Sequence, residues 1–137
     1  MVTAIARPDL SVGLIMTRDA FERPAAESRG MIPWVTEVTA TIANIGDGIA
    51  GETQTRFWLQ GENVDRELRL VNTPELLPGD EVEVTALWDM RDGSGDFTVT
   101  VIADAFGQLD ESRTDNNWAS TSVRVKGTRV ALASLPG

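Results

Sequence analysis

The chain has 137 residues, 42% of them hydrophobic and 24% charged, the size and composition of one globular domain and not of a disordered or fibrous polymer. A formal net charge of −9 is the wrong sign for gripping phosphates or anionic lipid, and no apolar stretch reaches the ~20 residues of a bilayer span, which argues against nucleic acid as a partner and against membrane insertion. Cysteine, histidine and tyrosine are all absent, so disulfides, ordinary zinc sites and His-based nucleophile pairs are ruled out, and the metal options shrink to hard cations held by oxygen, calcium or magnesium.

Residues 1–8 read as a lead, without the basic start and apolar run of a secretion signal. The chain is therefore expected to be either cytoplasmic or a segment of a longer exported precursor. Asp9 to Thr17 then alternates, with Leu10, Val12 and Leu14 in one phase, and predicts a first strand. The segment 18–33 fits no strand; it reads as an ordered crossing loop with a short helical turn between Pro24 and Gly30.

Val35 to Asn44 sets Val38, Ala40 and Ile42 against Glu37, Thr39 and Thr41, a half-buried strand. In Thr53 to Gln60, Phe57 and Leu59 oppose Arg56 and Trp58, and Gly61-Glu62-Asn63 turns the chain into Asp65 to Val71. Pro78-Gly79-Asp80 introduces Glu81 to Asp89, where Val82, Val84, Ala86 and Trp88 share a phase. Asp92-Gly93-Ser94-Gly95-Asp96 leads into Phe97 to Ala103, and after a polar loop the last long strand runs from Trp118 to Val125. These seven short strands, with no helical pattern between them, predict an all-β, antiparallel two-sheet sandwich over residues 9–126, a closed barrel being the second choice. Residues 127–137, with a weak strand at Val130 to Leu132, read as a linker or as an edge segment seeking a partner.

The polar loop from Asp104 to Asn117 carries the densest oxygen chemistry. Asp104, Asp110, Glu111 and Asp115, beside Asn116 and Asn117, form a candidate calcium set. The ordinary alternative is that these side chains bond to nearby backbone N–H groups and fix the turn. The Asp92 to Asp96 run departs from a calcium-binding helix-loop-helix pattern, since Phe97 stands where glycine is needed and Ala103 where a bidentate Glu is needed. Paired carboxylates such as Glu81 and Glu83 suit a glycosidase on paper, but their alternation places both outward on one strand face. Of the four tryptophans, Trp88 shares the core phase. Trp34, Trp58 and Trp118 do not, and are candidates for contact with a sugar ring or a protein. Asn44 or Asn117 is a candidate for an anchoring side chain that caps backbone groups.

The order of these pieces resembles the CARDB domain, the "cell adhesion related domain found in bacteria". The resemblance rests on Pro8-Asp9-Leu10 at the opening, Asn44-Ile45-Gly46 followed by small residues, and the strand Arg56-Phe57-Trp58-Leu59. It continues in Leu77-Pro78-Gly79-Asp80 before a Val-x-Val strand closed by Trp88, and in Asp110-Glu111-Ser112 with Asp115-Asn116-Asn117 before the last strand. The long 18–33 connection and the extension past Val125 depart from the pattern. The resemblance implies a seven-stranded immunoglobulin-like β-sandwich, non-catalytic and without an obligatory cofactor. It further implies an adhesion or spacer module of a secreted or cell-surface protein, placed outside the cell. Its partners would be other domains of a parent protein, a cell-surface protein or a glycan. Self-association through strand addition of Thr128 to Gly137 is a further expectation.

Overall fold

The computed structural model describes residues 5–22, 34–111 and 115–132. Nine strands are present among them, paired antiparallel in two sheets. β1 (Leu10–Thr17), β2 (Phe21–Glu22), β3 (Trp34–Asn44) and β6 (Glu81–Asp89) make the smaller sheet, and β5 (Asp65–Thr73), β4 (Thr53–Gln60), β7 (Gly95–Ile102), β8 (Trp118–Lys126) and β9 (Arg129–Leu132) lie in that order in the larger. β3 is central in the first sheet: β6 follows its whole length on one side, while β1 and β2 share the other.

All seven expected strands are there, with ends shifted by a residue or two. The two further strands are short, and the second matches the weak strand read at Val130 to Leu132. β2 pairs Phe21 with Val35 and Glu22 with Trp34, too brief a segment for period-two alternation to register. β9 folds back on β8 through a tight turn in which Gly127 takes φ 62°, and its Val130 is buried. The segment up to Leu132 therefore pairs within its own chain and is not a free arm. The expected helical turn between Pro24 and Gly30, and the tail beyond Leu132, lie outside the described residues.

The first strand departs from its predicted phase. Its register with β3 shifts between Gly13 and Ile15, and Leu14 sits in the bulge at φ 22° with its side chain 69% exposed. A bulge inserts one residue and moves everything after it to the opposite face, so Ile15 replaces Leu14 in the core.

The inner faces meet as the alternation dictates. Val38, Ala40 and Ile42 of β3 and Val84, Ala86 and Trp88 of β6 pack against Phe57 and Leu59 of β4, Val99 and Val101 of β7, and Val123 and Val125 of β8. Trp88 is the largest fully buried side chain; its ring meets Phe97 edge to face at 5.2 Å and 80°. The indole N–H of Trp88 donates to Asp92 Oδ2 at 2.9 Å, an oxygen that also accepts from Arg66 at 2.9 Å. That bond removes the penalty of burying an unpaired donor. With no disulfide and no tyrosine, this packed tryptophan ties the two layers together.

Candidate functional site

At one end of the sandwich the lead, the β3–β4 turn, the β5–β6 turn and the loop before β8 converge on a group of buried polar side chains. Asn44, fully buried at the end of β3, is its hub. Its Oδ1 accepts from the backbone N–H of Asp9 and of Gly46, both at 3.1 Å, and its Nδ2 donates to the carbonyls of Gly48 at 2.8 Å and Leu76 at 3.0 Å. One carboxamide thus satisfies both sides of its hydrogen-bonding capacity across three segments that are remote in sequence. Backbone bonds complete the clamp: Ile45 N–H to Asp9 O, Asp47 and Gly48 N–H to Arg7 O, and Gly79 N–H to Asn44 O.

The glycines of this turn follow from the close crossing of the lead. A Cβ on Gly46 would lie 2.4 Å from the Arg7 carbonyl oxygen, and one on Gly48 would lie 2.8 Å from the Arg7 backbone. No side chain fits there. The Asn-x-Gly turn read from the sequence is therefore a docking seat for residues 7–9, and the anchoring role expected for Asn44 or Asn117 falls to Asn44.

Glu111 extends the junction toward β8. Its carboxylate accepts from the Leu10 N–H at 2.9 Å and from the Asn117 side-chain amide. Asn116 Nδ2 donates to Asp9 Oδ1 at 2.7 Å. Burial pushes the Glu111 carboxyl above its ordinary range, the bonds from Asn117 and Leu10 pull it back in part, and the charges of Asp104 and Asp9 push it up further. The Oδ1 atoms of Asn116 and Asn117 are buried here without a hydrogen-bond partner.

The four acidic residues singled out as a calcium set do different things. Asp104, buried with φ 46°, spends both oxygens on the backbone N–H groups of Gln108 and Leu109, at 2.8 and 2.9 Å. Asp110 is exposed beside Arg7 at 3.4 Å, Glu111 turns inward as above, and Asp115 lies exposed in the turn before β8. Among the described residues no group of three or more acidic side chains is placed to hold an ion. The side chains that do meet are Asp9 with Asn116 and Glu111 with Asn117, each carboxylate accepting from a carboxamide nitrogen. The sequence reading missed Asp9, because Pro8-Asp9-Leu10 looks only like a strand entrance. Glu81 and Glu83 both point to solvent from β6.

The tryptophans separate between the sheets. Trp34 opens β3 in the smaller sheet, 40% exposed. Trp58 and Trp118 stand on the outer face of the larger sheet. There Arg56, Ile102 and Trp118 form one cross-strand row, and Trp58, Thr100 and Ser120 form the next. Trp118 is 57% exposed; Trp58 is half-buried and its indole N–H donates to Asp65 Oδ1 at 2.6 Å. Phe106, exposed in the following loop, lies under the Arg56 guanidinium at 5.5 Å. Nothing in the sequence pattern tied Phe106 to this face, because loop residues carry no strand phase.

The family model for CARDB matches residues 7–121. No curated protein sequence matches the chain. Among solved structures, the CARDB domain of a Pyrococcus furiosus protein, determined in complex with di-metal ions, aligns with TM-score 0.65 and 21% identity over 90% of this chain and 97% of that one. A domain of a putative cell surface protein from Methanosarcina acetivorans aligns with TM-score 0.64 and 16% identity, covering 90% of this chain and 96% of the other. A beta-D-glucoside glucohydrolase from Trichoderma reesei contains a similar unit, with TM-score 0.58 and 15% identity, but the match covers 87% of this chain and only 19% of that enzyme, as one domain within it. At these identities the neighbours share the fold. The family match spans the lead, the Asn44 turn and the loop through Glu111 that together build the junction, and the chain belongs to the CARDB family.

Proposed function

We propose that this domain is a non-catalytic adhesion and spacing module of a secreted or cell-surface protein, acting through its outer surfaces. The observation that carries the reading is the junction. Asp9, Asn44, Glu111, Asn116 and Asn117 use polar groups to join the lead to the neighbouring turns, and Asp104 ties its own loop, so the junction is a stiff body and not a pocket lined with reacting groups. Membership of the CARDB family and the likeness to a domain of a putative cell surface protein support the same placement outside the cell. Beads coated with this domain, flowed over cell-envelope polysaccharide or envelope protein, are expected to hold at a shear that clears beads coated with an unrelated sandwich domain. Equal detachment from every surface would overturn the adhesive role.

A second reading adds calcium to the junction. It is favoured by the carboxamide oxygens of Asn116 and Asn117, which are buried without a hydrogen-bond partner on side chains whose amide nitrogens bond the carboxylates of Asp9 and Glu111, since unpaired oxygens are the donors a hard cation takes. Bound calcium would offset the penalty that burial places on a charged Glu111 carboxylate. Calorimetric titration with calcium chloride, with a chelator control and a melt at each end, tests it: saturable binding with a higher melting temperature supports the ion, and no heat with an unchanged melt removes it.

A further inference from the structure

The outer face of the larger sheet is not a uniform surface. Along its centre run Thr98 and Thr100 of β7 and Ser120 and Ser122 of β8, paired across the strands, and the hydroxyls of Thr100 and Ser120 bond each other at 2.8 Å. These small side chains form the floor of a shallow lane. Its length, from the Ile102–Trp118 row to the Asp96–Arg124 row, is six residues of strand, about 20 Å. One end opens into a groove of about 600 Å³ walled by Gln60, Glu62, Thr98, Ser122 and Arg124. Trp118 and Ile102 close the other end, with Phe106 beside Arg56, and Trp58 forms the side wall between.

We propose that this lane binds an extended, uncharged oligosaccharide, with Trp118 and Trp58 as stacking platforms and the threonine and serine hydroxyls as hydrogen-bond partners for sugar hydroxyls. The inference deepens the adhesive reading above by naming its ligand class. The Cα positions of the two tryptophans are about 12 Å apart, two strands across and two residues along, a spacing that suits successive parts of a chain laid obliquely over the sheet.

The charge pattern selects the occupant. Arg56 is paired with Glu67 at 2.8 Å and Arg124 with Asp96 at 2.9 Å, and Asp65 accepts from Trp58. Among the described residues, both arginines along the lane are therefore paired, Lys126 lies one row beyond its end, and a net charge of −9 disfavours an acidic glycan or nucleic acid. A protein partner needs an apolar core to its interface. The centre here is hydroxyl-bearing, with apolar rings only at the margins. A neutral polyol is the chemistry that uses both: its C–H faces lie on indole rings and its hydroxyls bond the lane floor.

The test is titration of the intact domain with cellohexaose, xylohexaose, mannohexaose and N-acetylchitohexaose, read by tryptophan fluorescence and calorimetry. At least one sugar is expected to bind saturably. Trp118→Ala should weaken that binding five- to tenfold or more, while Trp34→Ala, on the other sheet, leaves it unchanged. Because Trp118 is 57% exposed, its loss should not move the thermal melt, and Ser120→Arg, which fills the lane, should abolish binding in a folded protein. Absence of saturable binding by all four sugars at millimolar concentration, or Trp118→Ala binding like wild type, overturns the proposal. So does a dimer on sizing that Trp118→Ala dissolves, which would assign the face to a second copy. If sugars fail while beads still hold on envelope protein, only the ligand class falls and the adhesive reading stands.

Discussion

Replacing Asn44 by Ala should cost this domain a large part of its stability. The substitution deletes four hydrogen bonds inside a site with no solvent access. Leu76 O keeps the bond it accepts from Ala50 N–H, whereas the N–H groups of Asp9 and Gly46 and the Gly48 carbonyl lose the partner that Asn44 supplied. Each buried group so stranded costs about 1–3 kcal/mol, and some of this is regained as water enters the vacated space, so the expected loss is roughly 3–5 kcal/mol. Against a typical total of about 5–15 kcal/mol this is severe, and at this chain length it lowers Tm by about 10–15 °C. Urea unfolding followed by tryptophan emission measures it, with buried Trp88 as the reporter. An unchanged m-value confirms that the native and unfolded states are otherwise the same. Asn44→Asp is the control: it keeps the acceptors but turns the two donated bonds into carboxylate–carbonyl repulsion, and should cost a similar amount. A loss below about 1 kcal/mol for Asn44→Ala, at constant m, would refute the assignment of Asn44 as hub.

Gly46→Ala should destabilise at least as much, because its Cβ would sit 2.4 Å from a backbone oxygen that has no rotamer to escape to; thermal melts of Gly46→Ala and of the open-space control Gly51→Ala should diverge sharply, and equal melts would show that the lead does not dock on this turn. Glu111 predicts a pH dependence. Its folded pKa is raised above 4.5, so the folded state holds the proton more tightly, and the contribution of Glu111 to stability falls as pH rises from 4.5 through the folded pKa. The stability of wild type relative to Glu111→Gln is therefore expected to decline as pH rises across that window and then level off. Asp89, held below 3.8 by its bond from Arg91, titrates in a separate range. A difference that is flat, or that grows with pH, in paired denaturation curves would show that burial does not dominate at Glu111.

Much of the scaffold was legible because period-two alternation is a direct imprint of a sheet with one dry face. Val38, Ala40 and Ile42, or Val84, Ala86 and Trp88, announce their own burial without reference to any other part of the chain. Where local geometry broke the period, the reading broke with it. A single bulge at Leu14 exchanged the faces of β1, and two residues of β2 were too few to alternate. The candidate site was less legible still. Carboxylate density pointed to Asp104, Asp110, Glu111 and Asp115 as one group, yet Asp104 turns to its own loop while Glu111 turns to the lead, a choice made by which backbone N–H groups come within reach.

By itself, then, the sequence determined what alternation, turn chemistry and missing residue types can carry: an antiparallel sandwich, the positions of its turns, its core, and the absence of histidine, cysteine and tyrosine chemistry. Tertiary structure alone decided which distant segments meet. It brought Asp9 to Asn116, 107 residues away, and Leu10 to Glu111, 101 residues away, and it put Trp58 and Trp118 on one face with Trp34 on the other sheet. The physical reason is that strand phase is a local property of a few residues, whereas strand order and loop docking depend on how two whole sheets bury their inner faces against each other.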